Sequence, residues 1–115
     1  MNKINYEQMN VENTKAQMRK GFLEMITLLM ISKEESYPSD MIKRLKEKEL
    51  IVVEGTMYPL LNRLKNDELL GYNWKESTSG PPRKYYFITD KGKEFLSELQ
   101  KTWNNLKNVV ESITK

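Results

Sequence analysis

Glu54-Gly55-Thr56-Met57-Tyr58-Pro59-Leu60-Leu61-Asn62-Arg63-Leu64 is the run around which the rest of the chain can be arranged. Met57, Leu60, Leu61 and Leu64 recur at helical spacing, which gives a short helix one apolar face. The other face carries Thr56, Tyr58, Pro59, Asn62 and Arg63. Short polar groups, a phenol and a guanidinium suit hydrogen bonding to base edges and phosphates; a purely solvated face would be richer in Lys and Glu. An ordinary amphipathic surface helix fits the same pattern, so the run alone leaves both readings open. Pro59 adds a constraint. Proline lacks an N–H and crowds the preceding turn, so the helix must begin near Gly55. The working end is then Gly55–Tyr58. The helix is expected to run to about Asp67, with Leu69-Leu70-Gly71 supplying a glycine stop.

The chain has 115 residues, 19 Lys and Arg against 16 Asp and Glu, and neither Cys nor His. One domain is the simplest reading at this length. Without Cys or His there is no disulfide, no Ser-His or Cys-His nucleophile pair, and no zinc site except one built from carboxylates. No paired carboxylates form a recognisable motif, so no catalytic residue, metal or cofactor is expected. A net charge of +3 permits nucleic-acid binding without arguing for it, since both signs are interspersed. The first residues lack a signal-peptide pattern, and the run from Met25 to Ile31 is too short to span a bilayer. A cytosolic protein with no membrane partner is expected.

Outward from the central run, residues 1–10 are polar and expected to be disordered. From Val11 to Ser32 the pattern is helical, with Met18, Phe22, Met25, Ile26, Leu29 and Met30 on a wide apolar face. Leu23, Leu28 and Ile31 extend that face most of the way round, as in a central helix or one shared with a second chain. Ser39 is expected to cap a helix from Asp40 to about Lys48. Leu50-Ile51-Val52-Val53 forms an apolar link, a candidate strand stub. Tyr72 to Ser77 alternates as a half-buried strand does, and Arg83 to Ile88 is a second β-prone run. Between them, Ser77 to Pro82 is a turn cluster, giving a β-hairpin with Arg83 and Lys84 at its basic tip. Trp74, Tyr85 and Phe87 are expected in the hairpin core. Thr89-Asp90 caps a last helix from Lys91 to about Ile113. Along it Phe95, Leu99, Trp103, Leu106, Val110 and Ile113 are spaced 4, 4, 3, 4 and 3, close to a helix-pairing seam.

Three helices, a hairpin and a long helix make a mainly α chain with a small β-hairpin. The arrangement is a winged helix-turn-helix with an N-terminal helix and a long C-terminal dimerisation helix. Residues 1–90 are read as the DNA-binding unit and 91–115 as the dimerisation helix. The third helix is the one that enters the major groove, and the hairpin reaches the flanking backbone. The surplus apolar stripes imply a homodimer through Phe22, Leu99, Trp103, Leu106, Val110 and Ile113. A two-fold pair matches a palindromic double-stranded DNA site.

The chain also resembles the PadR family of bacterial transcription regulators. The resemblance lies in residues 54–64, in Gly-Pro-Pro-Arg-Lys-Tyr-Tyr (80–86), in Thr-Asp-Lys-Gly (89–92) and in Lys-Ala-Gln-Met-Arg-Lys-Gly (15–21). With a single C-terminal helix it is similar to the short branch, which includes ligand-responsive repressors of multidrug transporters. The resemblance implies a homodimeric repressor of an inverted-repeat promoter. Thr56, Tyr58 and Pro59 then match the groove-entering motif, and Arg83 and Lys84 the wing's phosphate contacts. Tyr37 matches a tyrosine near the DNA backbone, and Ser39 and Arg63 complete the expected DNA-contact set. Trp103 falls where the multidrug members stack planar aromatic drugs, with Met18, Met25 and Leu99 as pocket lining for a small hydrophobic or aromatic effector. Lys107 departs from the pattern, because an acidic residue suited to cationic drugs stands there in those members. A second function class stays open, a winged-helix module acting through protein–protein contacts without an effector.

Overall fold

The computed structural model describes residues 3–115, with side chains from residue 10 onward. Helix α1 spans Lys3–Lys33, α2 Pro38–Glu47 and α3 Glu54–Asn66; strands β1 Leu70–Ser77 and β2 Gly80–Ile88 follow, and α4 spans Asp90–Thr114. The two strands form one antiparallel hairpin. Fold class and element order are those expected from the sequence.

The core lies where α1, α2, α3 and the base of the hairpin meet. Leu28, Met41, Met57, Leu61 and Leu64 are fully buried, joined by Leu45, Leu70, Tyr86 and Leu96. Each such side chain contributes about 1.5–3 kcal/mol through removal from water. Thr27 is also fully buried in α1, and its hydroxyl has no hydrogen-bond partner among the described residues.

Several boundaries differ from expectation for identifiable reasons. The first helix reaches back to Lys3, although residues 1–10 were expected to be disordered; residues 1–2 lie outside the described part. No Gly or Pro precedes Gly21, and Glu12 pairs with Lys15 one turn on at 3.6 Å. Ser39 is not the cap of α2. Tyr37 occupies that position and Pro38 the first helical one, where proline's fixed φ suits the helix and its missing N–H costs nothing.

The stops of α2 and α3 do not use glycine. Glu49 (φ 67°) and Glu68 (φ 64°) adopt the left-handed conformation instead. Behind each, the chain closes the same way. Glu49 N–H donates to the Lys46 carbonyl at 2.9 Å and Leu50 N–H to that of Leu45 at 2.9 Å; Glu68 donates to Lys65 at 3.0 Å and Leu69 to Leu64 at 2.9 Å. This is the Schellman closure, with a leucine following each turn and a leucine inside the helix. Gly71, expected to stop α3, lies within β1, where a Cβ would collide with the Phe87 ring. Gly92 serves similar close packing, since its Cβ would collide with the Leu69 carbonyl.

Residues 50–53 form no strand. The extra pairing comes from Ser36, which bridges Tyr86 through Ser36 N–H to Tyr86 O (3.1 Å) and Tyr86 N–H to Ser36 O (2.8 Å). The connector before α2 is thereby fixed to the edge of β2. It is held further by Arg44, which reaches the Ser36 hydroxyl at 2.9 Å and Asp40 at 3.0 Å.

At the start of α4 the Thr89 hydroxyl accepts from Gly92 N–H at 3.0 Å and donates to the Glu68 carbonyl at 2.7 Å. The first half of α4 packs on the core through Gly92 and Leu96, but every residue from Gln100 onward is exposed. At ~1.5 Å per residue, its 25 residues extend ~37 Å. No helix among the described residues is long and apolar enough to cross a membrane.

Candidate nucleic-acid interface

Helix α3 turns its polar face outward because Met57, Leu60, Leu61 and Leu64 fill the core side. At about 100° per residue, Gly55, Pro59 and Asn62 then centre the exposed face, with Tyr58 on one flank and Thr56 and Arg63 on the other. Thr56 and Met57 N–H groups both donate to the Val53 carbonyl at 3.0 Å, which opens the helix at Glu54. Pro59 cannot donate to the Gly55 carbonyl, but Gly55 is exposed and water can satisfy it. The helix therefore tolerates proline on the face it presents.

Beyond the Tyr58 flank, the start of α2 and the outer edge of β2 enclose a cleft of about 330 Å³. Tyr37, Ser39, Tyr58, Trp74, Arg83 and Lys84 line it. The hairpin register explains the arrangement, with Lys84 opposite Trp74 and Arg83 opposite Lys75. Adjacent residues of a strand point to opposite faces, so Arg83 and Lys84 straddle the edge of β2. The Arg83 guanidinium lies over the Tyr37 ring at 4.5 Å, and Tyr37 meets Tyr85 edge-on at 5.1 Å. Lys84 lies over Tyr72 at 4.4 Å and over Trp74 at 5.5 Å. Such contacts hold a cation in place for about 0.5–1 kcal/mol each at exposed sites. Lys75 is engaged by Glu35 at 3.1 Å, whereas Arg83 and Lys84 have no acidic partner among the described residues.

The start of α2 adds a third positive element. It carries no side-chain cap; Pro38 has no N–H and Asp40 N–H donates to the Tyr37 carbonyl at 3.1 Å, which leaves the Ser39 N–H and the positive end of the helix dipole at the cleft. Asp40, which would repel an anion there, is drawn off by Arg44. Two oriented cations, a helix N-terminus and the Ser39 hydroxyl can receive phosphate oxygens of a duplex backbone. Tyr86 at the cleft floor stays neutral, because burial pushes its phenol above the ordinary value, with Tyr72 and Tyr58 adding to the shift.

The structure thus brings Tyr37, Ser39, Tyr58, Arg83 and Lys84 together. Pro59 lies on the adjoining exposed face of α3. Thr56 lies on the far flank, in a separate groove with Arg19 and Lys20. Arg63 is turned toward α1, its guanidinium 3.3 Å from Glu24. The hairpin tip is Thr78-Ser79, so Arg83 and Lys84 sit on the flank of the wing rather than at its tip. Trp74 is 61% exposed and not part of the hairpin core, whose buried aromatic is Tyr86. Trp74 is one of the cleft residues that sequence reasoning missed, with Pro38, Pro82 and Tyr86. Its alternation with Tyr72 was visible, but not that α3 stops covering the hairpin before reaching it.

A second groove, about 290 Å³, runs between α1 and α4. Met18, Met25, Leu99 and Trp103 all line it, and Phe22 meets Trp103 edge-on at 5.2 Å. Gly21 lines it too, and nothing lies within 4 Å of where its Cβ would be. The positions expected from the sequence for an effector do converge.

Three helices and a wing whose cationic edge closes on the start of α2 define a winged helix-turn-helix of the kind found in DNA-binding transcription regulators. The family model for PadR-like transcriptional regulators matches residues 27–98. A PadR-like transcription factor from Bacteroides fragilis is 59% identical, with 88% of this chain and 98% of that one covered at a TM-score of 0.75. A PadR family regulator from Eggerthella lenta superposes at a TM-score of 0.85, with 30% identity and 97% of each chain covered. One from Bacillus cereus is 41% identical at a TM-score of 0.77, over 86% of this chain and 97% of that one. An uncharacterised protein from Lysinibacillus sphaericus is 30% identical over 80% of this chain and 87% of its own. The chain belongs to the PadR-like family of transcriptional regulators. It is a DNA-binding regulator and not an enzyme.

Proposed function

We propose that the protein is a homodimeric repressor that occupies an inverted-repeat promoter and is released by a small hydrophobic or aromatic effector. The observation that carries the DNA-contact part of this reading is the convergence of Arg83, Lys84, Tyr37 and Ser39 on the uncapped start of α2, beside the exposed face of α3. Arg83 and Lys84 take phosphates, and Tyr37 and Ser39 hydrogen-bond the same backbone. Thr56, Tyr58 and Pro59 enter the major groove, while Arg63 reaches a flanking phosphate only by leaving Glu24. Residues 1–90 act as the reading unit and 91–115 as the dimerisation helix. Phe22, Leu99, Trp103, Leu106, Val110 and Ile113 form the pairing seam. Two copies related by a two-fold axis would place their α3 helices in successive major grooves, about 34–36 Å apart on the same face of the duplex.

The α1–α4 groove is suited to a flat apolar molecule, which would lie against the Trp103 ring. Lys107, one turn beyond, makes it inhospitable to cations and favours neutral or anionic aromatics. Titration with a labelled promoter duplex tests both parts. Tight binding to an inverted repeat, loss of binding when one half-site is scrambled, and release by a neutral or anionic planar aromatic are expected. Equal affinity for scrambled DNA would contradict the reading. With Trp74→Phe leaving Trp103 as the sole indole, quenching by the aromatic without DNA release would remove the effector from the mechanism.

A further inference from the structure

Arg44 stands on α2 one turn behind Asp40, and its guanidinium is shared among three groups. One terminal nitrogen, Nη2, donates to the Ser36 hydroxyl at 2.9 Å; Nη1 lies 3.5 Å from Glu34, and Nε lies 3.0 Å from Asp40. The Nε–H is not directed at the Asp40 oxygen as a hydrogen bond, so that contact is one of charge. No other cation among the described residues pairs with Glu34 or Asp40. Arg44 itself is outside the phosphate cleft, whose lining on α2 is Pro38 and Ser39.

Asp40 belongs to the first turn of α2 and directly follows Ser39. A carboxylate in a first turn is drawn to the positive end of its own helix. Lodged there, it would take the place of a phosphate oxygen and repel the rest of the duplex backbone. Glu34 adds a second negative charge on the connector that leads into α2. One guanidinium thus offsets two carboxylates behind a cleft whose own cations, Arg83 and Lys84, come from the hairpin. Ser36 ties the same guanidinium to the wing. It is buried, its hydroxyl is held by Arg44, and its backbone is bridged to Tyr86 on the cleft wall.

We propose that Arg44 is a positioning residue for DNA binding. It holds the Asp40 and Glu34 carboxylates off the start of α2 and, through Ser36, fixes the wing beside that helix. The proposal rests on the phosphate-holding role given to the cleft and specifies what keeps the cleft positive. Loss of the Arg44 charge releases Asp40 toward the helix start and weakens DNA binding without removing a phosphate contact.

Fluorescence anisotropy on a labelled inverted-repeat duplex tests this by comparing the unaltered protein, Arg44→Gln, Asp40→Asn and the two changes together. Arg44→Gln retains an amide to face Ser36 but no charge. It is expected to weaken binding by about tenfold or more, because an uncompensated carboxylate then faces the phosphates. Adding Asp40→Asn is expected to recover most of that loss, while Asp40→Asn alone has little effect. A merely structural role predicts the opposite, since Asp40 is a favourable first-turn acid and its removal would weaken the fold further. Arg44→Lys keeps a charge beside Asp40 and is expected to bind like the unaltered protein; it supplies the readout if Arg44→Gln does not fold. Equal effects of Asp40→Asn with and without Arg44, or a tenfold loss in Arg44→Lys, would overturn the role. Unchanged binding by Arg83→Ala with Lys84→Ala would instead overturn the cleft reading beneath it.

Discussion

Substituting Leu106 by alanine tests whether the free half of α4 is a pairing surface. In the single chain 51% of Leu106 is exposed. Full burial of a leucine contributes about 1.5–3 kcal/mol, so a partner covering the remaining half adds about 1 kcal/mol. Two-fold symmetry counts the residue twice, which makes about 2 kcal/mol per dimer and about a thirtyfold rise in the dissociation constant. Sedimentation equilibrium over a concentration series measures it. Leu106 also lines the α1–α4 groove, so far-UV circular dichroism checks that the fold of the single chain is retained. An unchanged dissociation constant with unchanged helicity would refute the assignment of this stripe to dimerisation. Val110 and Ile113 would then need another explanation for their exposure.

Three further outcomes follow from local geometry. Gly92→Ala should destabilise the protein by more than 1 kcal/mol in urea unfolding, because its Cβ meets the rigid Leu69 carbonyl, whereas Gly21→Ala should stabilise it by about 0.5–1 kcal/mol. Thr89→Ala should cost about 1–2 kcal/mol and lower the melting temperature, since the hydroxyl both caps Gly92 N–H and donates to Glu68. Stability should decline as pH rises from about 10, because Tyr86 holds its proton more tightly folded than unfolded. Its contribution is complete below the ordinary tyrosine value of 10.0 and is lost as pH passes the raised one. Tyr86→Phe should flatten that decline in pH-dependent denaturation.

Periodicity was enough for the four helices and the hairpin, because Met57-Leu60-Leu61-Leu64 and the alternation from Tyr72 leave few other ways to bury apolar surface. The stops at Glu49 and Glu68 were illegible. A left-handed glutamate runs against intrinsic preference and is held only by the Schellman bonds and the leucines that follow. The start of α2 was misplaced because serine is a common cap, while Pro38 needed the Ser36–Tyr86 bridge to fix the chain before it. Among candidate site residues, Tyr37, Tyr58, Arg83 and Lys84 were legible as candidates, and they line one cleft. The orientation of Arg63 was not, since it depends on Glu24, thirty-nine residues away in sequence. Trp74 was misread because alternation gives the face of a strand but not how far a neighbouring helix covers it.

The cleft at the start of α2 is proposed to hold the DNA phosphates. Arg83→Ala combined with Lys84→Ala, measured by fluorescence anisotropy on an inverted-repeat promoter duplex across a salt series, addresses it directly. Each phosphate contact contributes about 0.9 to the slope of log affinity against log salt, so losing four cations from a dimer should flatten that slope by about 3.6. Affinity at low salt should fall with it, and the fold should be retained. A double variant that binds with the same slope and the same affinity would contradict the assignment of this cleft to DNA.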